Sequence, residues 1–112
     1  MANTYKVLAL TALSATTNTD LYTVPAATSA IISAITVANS ASTAATYRLA
    51  ITGSATAASA VTVGDHVAFD VAIAANDTVS LNLGLTLEAA KKIVARASTA
   101  SVTFGVFGSE VS

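Results

Sequence analysis

The stretch VAFDVAIAANDTVSLNLGL, residues 67–85, decides the fold predicted for this chain. On both sides of a short polar centre, apolar residues alternate with small or polar ones, which is the period of a half-buried β-strand. Asn76 and Asp77 are typical turn residues, because both tolerate left-handed backbone angles and bond their own backbone. The stretch therefore predicts a hairpin of two strands closed by residues 74–77. Its predicted inward side chains are Val67, Phe69, Val71, Ile73, Val79, Leu81, Leu83 and Leu85.

The same alternation recurs on both sides of this stretch. It predicts strands at residues 5–13, 21–25, 30–40, 47–52 and 102–108. In the long strand of residues 30–40 both faces are nearly apolar, so we expect it to be central and covered. One face carries Ile31, Ser33, Ile35 and Val37, and the other carries Ile32, Ala34, Thr36 and Ala38. In the last strand Val102, Phe104 and Val106 share one face.

Two segments are less regular. Residues 53–66 have many small side chains and weak periodicity, which predicts a long loop, with a short strand at 61–63 as an option. Residues 88–91 are good helix formers and predict a helical turn, followed by a strand to Ser98. The total of seven to eight short strands predicts an all-β fold, an antiparallel β-sandwich. Periodicity leaves jelly-roll and immunoglobulin-like topologies both open.

Composition limits the classes of function. The chain has 112 residues, which predicts a single domain over residues 1–112. It is 54% hydrophobic and 10% charged, with a net charge of −1. The largest basic cluster, Lys91, Lys92 and Arg96, is partly offset by Glu88, so we expect no nucleic-acid partner. No apolar run reaches the ~18 residues of a membrane span, so no membrane partner is expected. No cysteine is present, which excludes disulfides and thiolate chemistry.

The first 15 residues, MANTYKVLALTALSA, have some features of a signal peptide, namely one lysine, a short apolar run and small residues. Their alternation favours a strand instead. We interpret residues 1–13 as an N-terminal strand or arm that contacts a neighbouring chain.

No group of residues predicts catalysis. His66 follows Asp65, but the pair stands at the end of a loop, and no Ser/His/Asp arrangement is evident. Asp65, Asp70 and Asp77 lie too far apart in sequence for a typical calcium loop. We therefore predict no enzyme activity, no catalytic, metal or cofactor-binding residues, and no cofactor.

The aromatic residues are few. Phe69 and Phe104 fall on predicted inward faces, so we expect both in the core. Tyr5 and Tyr22 remain as candidate exposed aromatics, which gives sugar binding through aromatic platforms only weak support.

Three stretches resemble a family of small β-sandwich structural proteins of tailed bacteriophages, including cyanophages. They are LYTVPAATSAIISAITVANSASTAATYRLAI, VAFDVAIAANDTVSLNLGLTL and ASTASVTFGVFGSEV. The resemblance covers residues 21–111, mostly at framework positions. Two departures stand out. Ala74 occupies a position where the family often has proline, and EAAKK at 88–92 replaces a more acidic turn.

The resemblance implies a non-enzymatic virion protein located on the capsid surface. It implies a capsid decoration, or cement, protein that binds and stabilises the phage head. The implied partners are the major capsid protein and other copies of the chain, with a homotrimer favoured. Strand addition by residues 5–10 is one expected binding mode. The alternative is a tail, fibre or adaptor component with affinity for a host-surface glycan. A free bacterial sugar-binding or adhesive module is a third, less supported interpretation.

Overall fold

A computed structural model of the chain describes residues 3–82 and 84–112; for residues 3–5 it describes the backbone alone. The predicted inward position of Leu83 lies outside the described residues, as does the side chain of Tyr5. The described residues form nine strands and two short 3₁₀ turns. The strands are β1 (Asn3–Ala12), β2 (Thr19–Thr23), β3 (Ser29–Asn39), β4 (Ala45–Gly53), β5 (His66–Ile73), β6 (Thr78–Leu81), β7 (Leu85–Leu87), β8 (Lys91–Ala97) and β9 (Val102–Val111).

The strands form two antiparallel sheets, which confirms the predicted all-β sandwich. The first sheet has the order β1-β9-β3-β6, with β7 also paired to β3, and the second has the order β2-β8-β4-β5. When β6 and β7 are counted as one interrupted strand, consecutive strands change sheet at every step except β4 to β5. This is the strand order of a jelly roll, so the topology that periodicity left open is the jelly-roll one.

The core lies between the two sheets. Phe104 on β9 meets Tyr47 on β4 edge to face, with ring centroids 6.2 Å apart, and both rings are buried. Val102, Phe104 and Val106 are each 0% exposed, which confirms the face predicted for the last strand. The largest fully buried side chains are those of Phe104, Ile35, Leu49, Ile73 and Ile93.

A β-bulge changes the predicted faces of the long strand. The register between β3 and β9 shifts between Ile32 and Ala34, so Ser33 is an extra residue on β3. Ile32 and Ile35 consequently both point into the core, at 2% and 1% exposure. Ile31 was predicted to share a face with Ile35, and this is wrong, because Ile31 is 46% exposed on the outer face.

The predicted hairpin of residues 67–85 is also wrong in its pairing. Asn76 does lie in a turn, with φ 53°, but β5 pairs with β4 in the second sheet and β6 pairs with β3 in the first. The backbone N–H of Asn76 donates to the Ala41 carbonyl, and the backbone N–H of Asn39 donates to the backbone carbonyl of Asp77. These hydrogen bonds fix the turn against the β3–β4 loop, where the chain crosses from one sheet to the other.

The strand β5 is an edge strand, and its predicted inward face is largely exposed. Val67, Phe69 and Val71 are 44%, 45% and 39% exposed, and Ile73 alone of the four is buried. The register with β4 shifts twice, and Asp70 adopts φ 51°, so the regular alternation is lost. Phe69, predicted in the core, instead packs on the outer face beneath the Arg48 guanidinium, whose carbon lies 4.1 Å from the ring centroid.

The long loop of residues 54–65 covers part of the second sheet. It contains 3₁₀ turns at Ala58–Ala60 and Val63–Asp65 and no strand at 61–63. Ala50 on β4 and Val94 on β8 are register partners that do not belong to the main core between the sheets, yet both are buried. The Asn18 amide donates to the Ala58 carbonyl and fastens the loop over this face.

The helical turn predicted at residues 88–91 is absent from the described structure. Ala89 and Ala90 form a turn in which Ala90 has φ 64°, and β8 already begins at Lys91. The Ser54 amide donates to the Ala90 carbonyl, so tertiary contact overrides the helix propensity of this segment.

Candidate interaction surface

An apolar strip crosses the outer face of the first sheet. Val7, Leu10 and Ile31 are 54%, 65% and 46% exposed. Val7 on β1 and Ala34 on β3 are register partners of Phe107, which lies between them on β9 and is half-buried. We call Val7, Leu10, Ile31, Ala34 and Phe107 the apolar strip. Large apolar side chains grouped on one face are typical of a surface that binds another macromolecule.

Gly105 gives the strip its flat centre. A Cβ built on Gly105 would lie 2.8 Å from the Phe107 ring and 2.6 Å from the Thr36 hydroxyl oxygen. The aromatic ring therefore lies over the glycine backbone instead of projecting outward. Leu10 on β1 is the register partner of Gly105, so this exposed leucine lies next to the glycine on the neighbouring strand.

The strip ends at an open strand edge. β1 is the terminal strand of the first sheet, and its outer edge pairs with no described strand. The strand is ten residues long, and its single charged residue is Lys6. A bulge at Leu8 separates two paired segments of β1. Long edge strands with few charges offer their free N–H and C=O groups to another strand.

Lys6 is held in an ion pair, so its charge does little to prevent another strand from pairing with the edge of β1. The Lys6 amine lies 2.6 Å from one Glu110 carboxylate oxygen, and the Tyr22 hydroxyl donates to the other at 2.5 Å. The hydrogen bonds from Lys6 and then from Tyr22 hold the pKa of Glu110 below its ordinary value. Burial, reinforced by Glu110, raises the pKa of the Tyr22 phenol. Tyr22, a candidate exposed aromatic, is thus half-buried in a contact that joins β1, β2 and β9.

Asp65 and His66 both contact Thr62 in the loop that precedes β5. One Asp65 carboxylate oxygen accepts hydrogen bonds from the Thr62 amide and hydroxyl, at 3.0 and 3.2 Å. The His66 Nδ1 lies 2.9 Å from the Thr62 carbonyl oxygen. Both side chains thus shape the loop that precedes β5.

The three aspartates considered for calcium lie in separate surroundings. Asp70 receives two hydrogen bonds from Arg48, at 2.6 and 3.1 Å, and these contacts lower the pKa of its carboxyl group. Asp77 accepts the amide of Thr78 within its own turn. In residues 3–82 and 84–112 no three His, Cys, Asp or Glu side chains come together as a candidate metal site.

The basic cluster seen in the sequence divides in space. Lys92 has a nearly buried side chain whose amine lies 2.9 Å from an Asp20 oxygen. Arg96 is the register partner of Arg48, and both line a shallow depression on the second sheet. The sequence contains one signal for the shared location of the two arginines, since Arg48 and Arg96 each lie at an outward position of an alternating strand.

No helix among the described residues is long and apolar enough to span a membrane. No known family model matches the chain, and no curated protein matches it.

Proposed function

We propose that this protein is a structural component of a virion, a capsid decoration protein that binds and stabilises the head of a tailed bacteriophage. The observation that supports it best is the apolar strip beside the open edge of β1. A flat apolar surface next to unpaired backbone groups suits adhesion to another protein through shape and strand addition. The sequence resemblance stated above supports the same role, and jelly rolls recur in viral capsid proteins.

The proposed partner is the major capsid protein, with further copies of the chain as a homotrimer. The surface of the strip is neutral, and the desolvation cost of burying it is small, because Val7, Leu10 and Phe107 present no charge. The proposed location is the outer surface of the capsid, and the proposed activity is binding without catalysis.

Immunogold labelling of intact particles tests the location. Even labelling over the heads is the expected result. Labelling confined to the tail end would assign the chain to the tail, fibre or adaptor class, and absence of label would overturn a virion role.

A pair of variants tests the surface. Val7→Lys with Leu10→Lys places two charges in the apolar strip, and Val63→Lys places one on a valine that is 75% exposed in the loop of residues 54–65. We expect the first variant to bind at least about tenfold more weakly to phage heads from which this protein is absent. The reason is that the two lysine charges would lose their hydration when an apolar contact buries them. Val63→Lys should bind as wild type does, and equal loss in both variants would contradict the assigned surface.

Analytical ultracentrifugation of the wild-type chain tests the assembly. A trimer supports the proposal. A monomer at micromolar concentration that also fails to bind heads would overturn it.

A further inference from the structure

The depression on the second sheet has an unusual charge distribution. It is lined by Arg48, Asp70, Arg96, Thr46, Ser98 and Thr16, with the edges of Tyr47 and Ala97. Arg48 is neutralised by Asp70 through two hydrogen bonds. Arg96 stands opposite Arg48 in register and forms no ion pair with another described residue. The lining therefore has one excess positive charge. The guanidinium of Arg96 that carries it is suited to binding a carboxylate.

The neutral groups around Arg96 supply both donors and acceptors. The Ser98 hydroxyl oxygen accepts the Thr46 amide at 2.9 Å, which leaves its own hydrogen free to donate. The Thr16 hydroxyl donates to the Ala15 carbonyl at 2.8 Å, which leaves its oxygen free to accept. Asp70, with a side chain 48% exposed, has further lone pairs that face solvent. A simple carboxylate would use only the donors, whereas a ligand with hydroxyl groups beside its carboxylate would use both sets.

The size of the depression restricts the ligand further. Its volume is about 220 Å³, which is below the roughly 300–1,000 Å³ of a site for a drug-sized molecule. One sugar ring fits this space better than an extended chain does.

From this geometry we propose that the depression binds one residue of an acidic saccharide, with its carboxylate on Arg96 and its hydroxyls on Ser98, Thr16 and Asp70. This site lies on the sheet opposite to the apolar strip, so it is separate from the proposed head-binding surface. A decoration protein bound through the first sheet would present the second sheet, and this site, to solvent.

The test is a titration of the 112-residue chain with methyl glucuronide, in which NMR spectra monitor the backbone amide chemical shifts. We expect shifts confined to residues around Arg96 and a dissociation constant on the order of millimolar. Methyl glucoside, which lacks the carboxylate, should bind at least about tenfold more weakly. Acetate binding as tightly as the glucuronide would show an anion site only and would overturn the saccharide assignment, as would no shifts with the glucuronide at all.

Three variants locate the effect. Arg96→Gln removes the charge and should weaken binding of the glucuronide by about tenfold or more. Arg96→Lys keeps the charge without the planar fork and should show an intermediate loss. Lys91→Gln removes the same charge from β8 outside the depression and should bind as wild type does. Equal affinity in Arg96→Gln and wild type, or equal loss in Lys91→Gln, would overturn the site. The amide spectrum of each variant reports whether it is folded.

Discussion

Asn39 has a buried side chain that forms hydrogen bonds with three segments of the chain. It is 2% exposed at the end of β3. Its amide nitrogen donates to the Thr43 and Ala74 carbonyls, at 2.9 and 3.2 Å. Its amide oxygen accepts the Ala41 amide and the Ser101 hydroxyl, at 3.1 and 3.2 Å. Because the donors and acceptors are all used, this asparagine organises one end of the sandwich.

We expect Asn39→Asp to lower the free energy of unfolding at neutral pH by about 3 kcal/mol, because a buried carboxylate cannot donate to two carbonyls. Burial raises the pKa of the introduced carboxyl group, so the deficit should shrink as the pH falls toward about 4, because the protonated acid regains one donor. Urea denaturation at both pH values measures it. Asn82→Asp, at an exposed position, is the matched control and should change stability by less than about 0.5 kcal/mol. Equal small effects at both positions would contradict the role of Asn39.

Gly108 is required by the close approach of β3 to β9. A Cβ at this position would lie 2.0 Å from the Ile31 carbonyl oxygen, which is backbone and cannot move aside alone. We expect Gly108→Ala to destabilise the protein by about 3 kcal/mol, at the upper end of overpacking costs. Thermal and urea unfolding give the value. Gly64→Ala, where the nearest atom lies at 3.9 Å, is the control and should be nearly neutral.

Neither Asn39 nor Gly108 is distinguished in the sequence by its surroundings. VANS and VFGSE match many turns and strand ends, and the importance of both residues arises from contacts with distant segments. Asn76 is different, since its turn role follows from local backbone preference and was predicted correctly.

At the scale of elements, Glu110 ties β9 to both β1 and β2. Its carboxylate is stabilised by Lys6 and then by Tyr22, so its pKa in the folded state is lower than its ordinary value of 4.5. The stability that Glu110 contributes is therefore complete above pH 4.5 and is lost as the pH falls through the lowered value. Acid should therefore weaken the contact that ties the N-terminal strand to β2 and β9.

We expect Glu110→Gln to be less stable than wild type at neutral pH and to lose less stability between about pH 5 and pH 3. Urea denaturation across this range at constant ionic strength measures both quantities. Glu88→Gln removes an exposed carboxylate that forms no ion pair with the described residues, and its slope should follow wild type. A wild-type slope in Glu110→Gln would contradict the role of this contact.

The strands themselves were largely predictable, whereas the directions of their side chains were less so. Alternation located the strand of residues 102–108 and its buried face, because β9 keeps its period through Val106. In β3 and β5 the period is broken by bulges, and one extra residue reverses every face beyond it. Phe69 was placed in the core for that reason, although it lies on the surface with Arg48.

At the scale of the whole molecule, the first and last strands are neighbours. Asn3 and Val111 are register partners at one end of the first sheet. We expect a circular permutant that joins these ends by a short linker, and opens at the exposed turn of Ala26 and Ala27, to fold with a loss of about 2 kcal/mol or less. Circular dichroism and urea unfolding check it. A permutant that fails to unfold cooperatively would contradict the expected tolerance.

The sandwich was predictable from the number of short strands, but the jelly-roll order was not. Local pattern favoured a hairpin between β5 and β6, whereas in the structure backbone hydrogen bonds of Asn39 and Asn76 with distant residues join the turn to the β3–β4 loop, where the chain crosses to the other sheet. The apolar strip and the Arg96 depression depend on that order too, since each brings together strands far apart in sequence.

The placement of β9 has a consequence for biosynthesis. The strand that stands between β1 and β3 is the last of the nine to leave the ribosome. Until β9 emerges, no strand can pair between β1 and β3, and β1 has no described partner strand within its own chain. The nascent polypeptide can consequently complete the first sheet only after β9 has emerged from the ribosome.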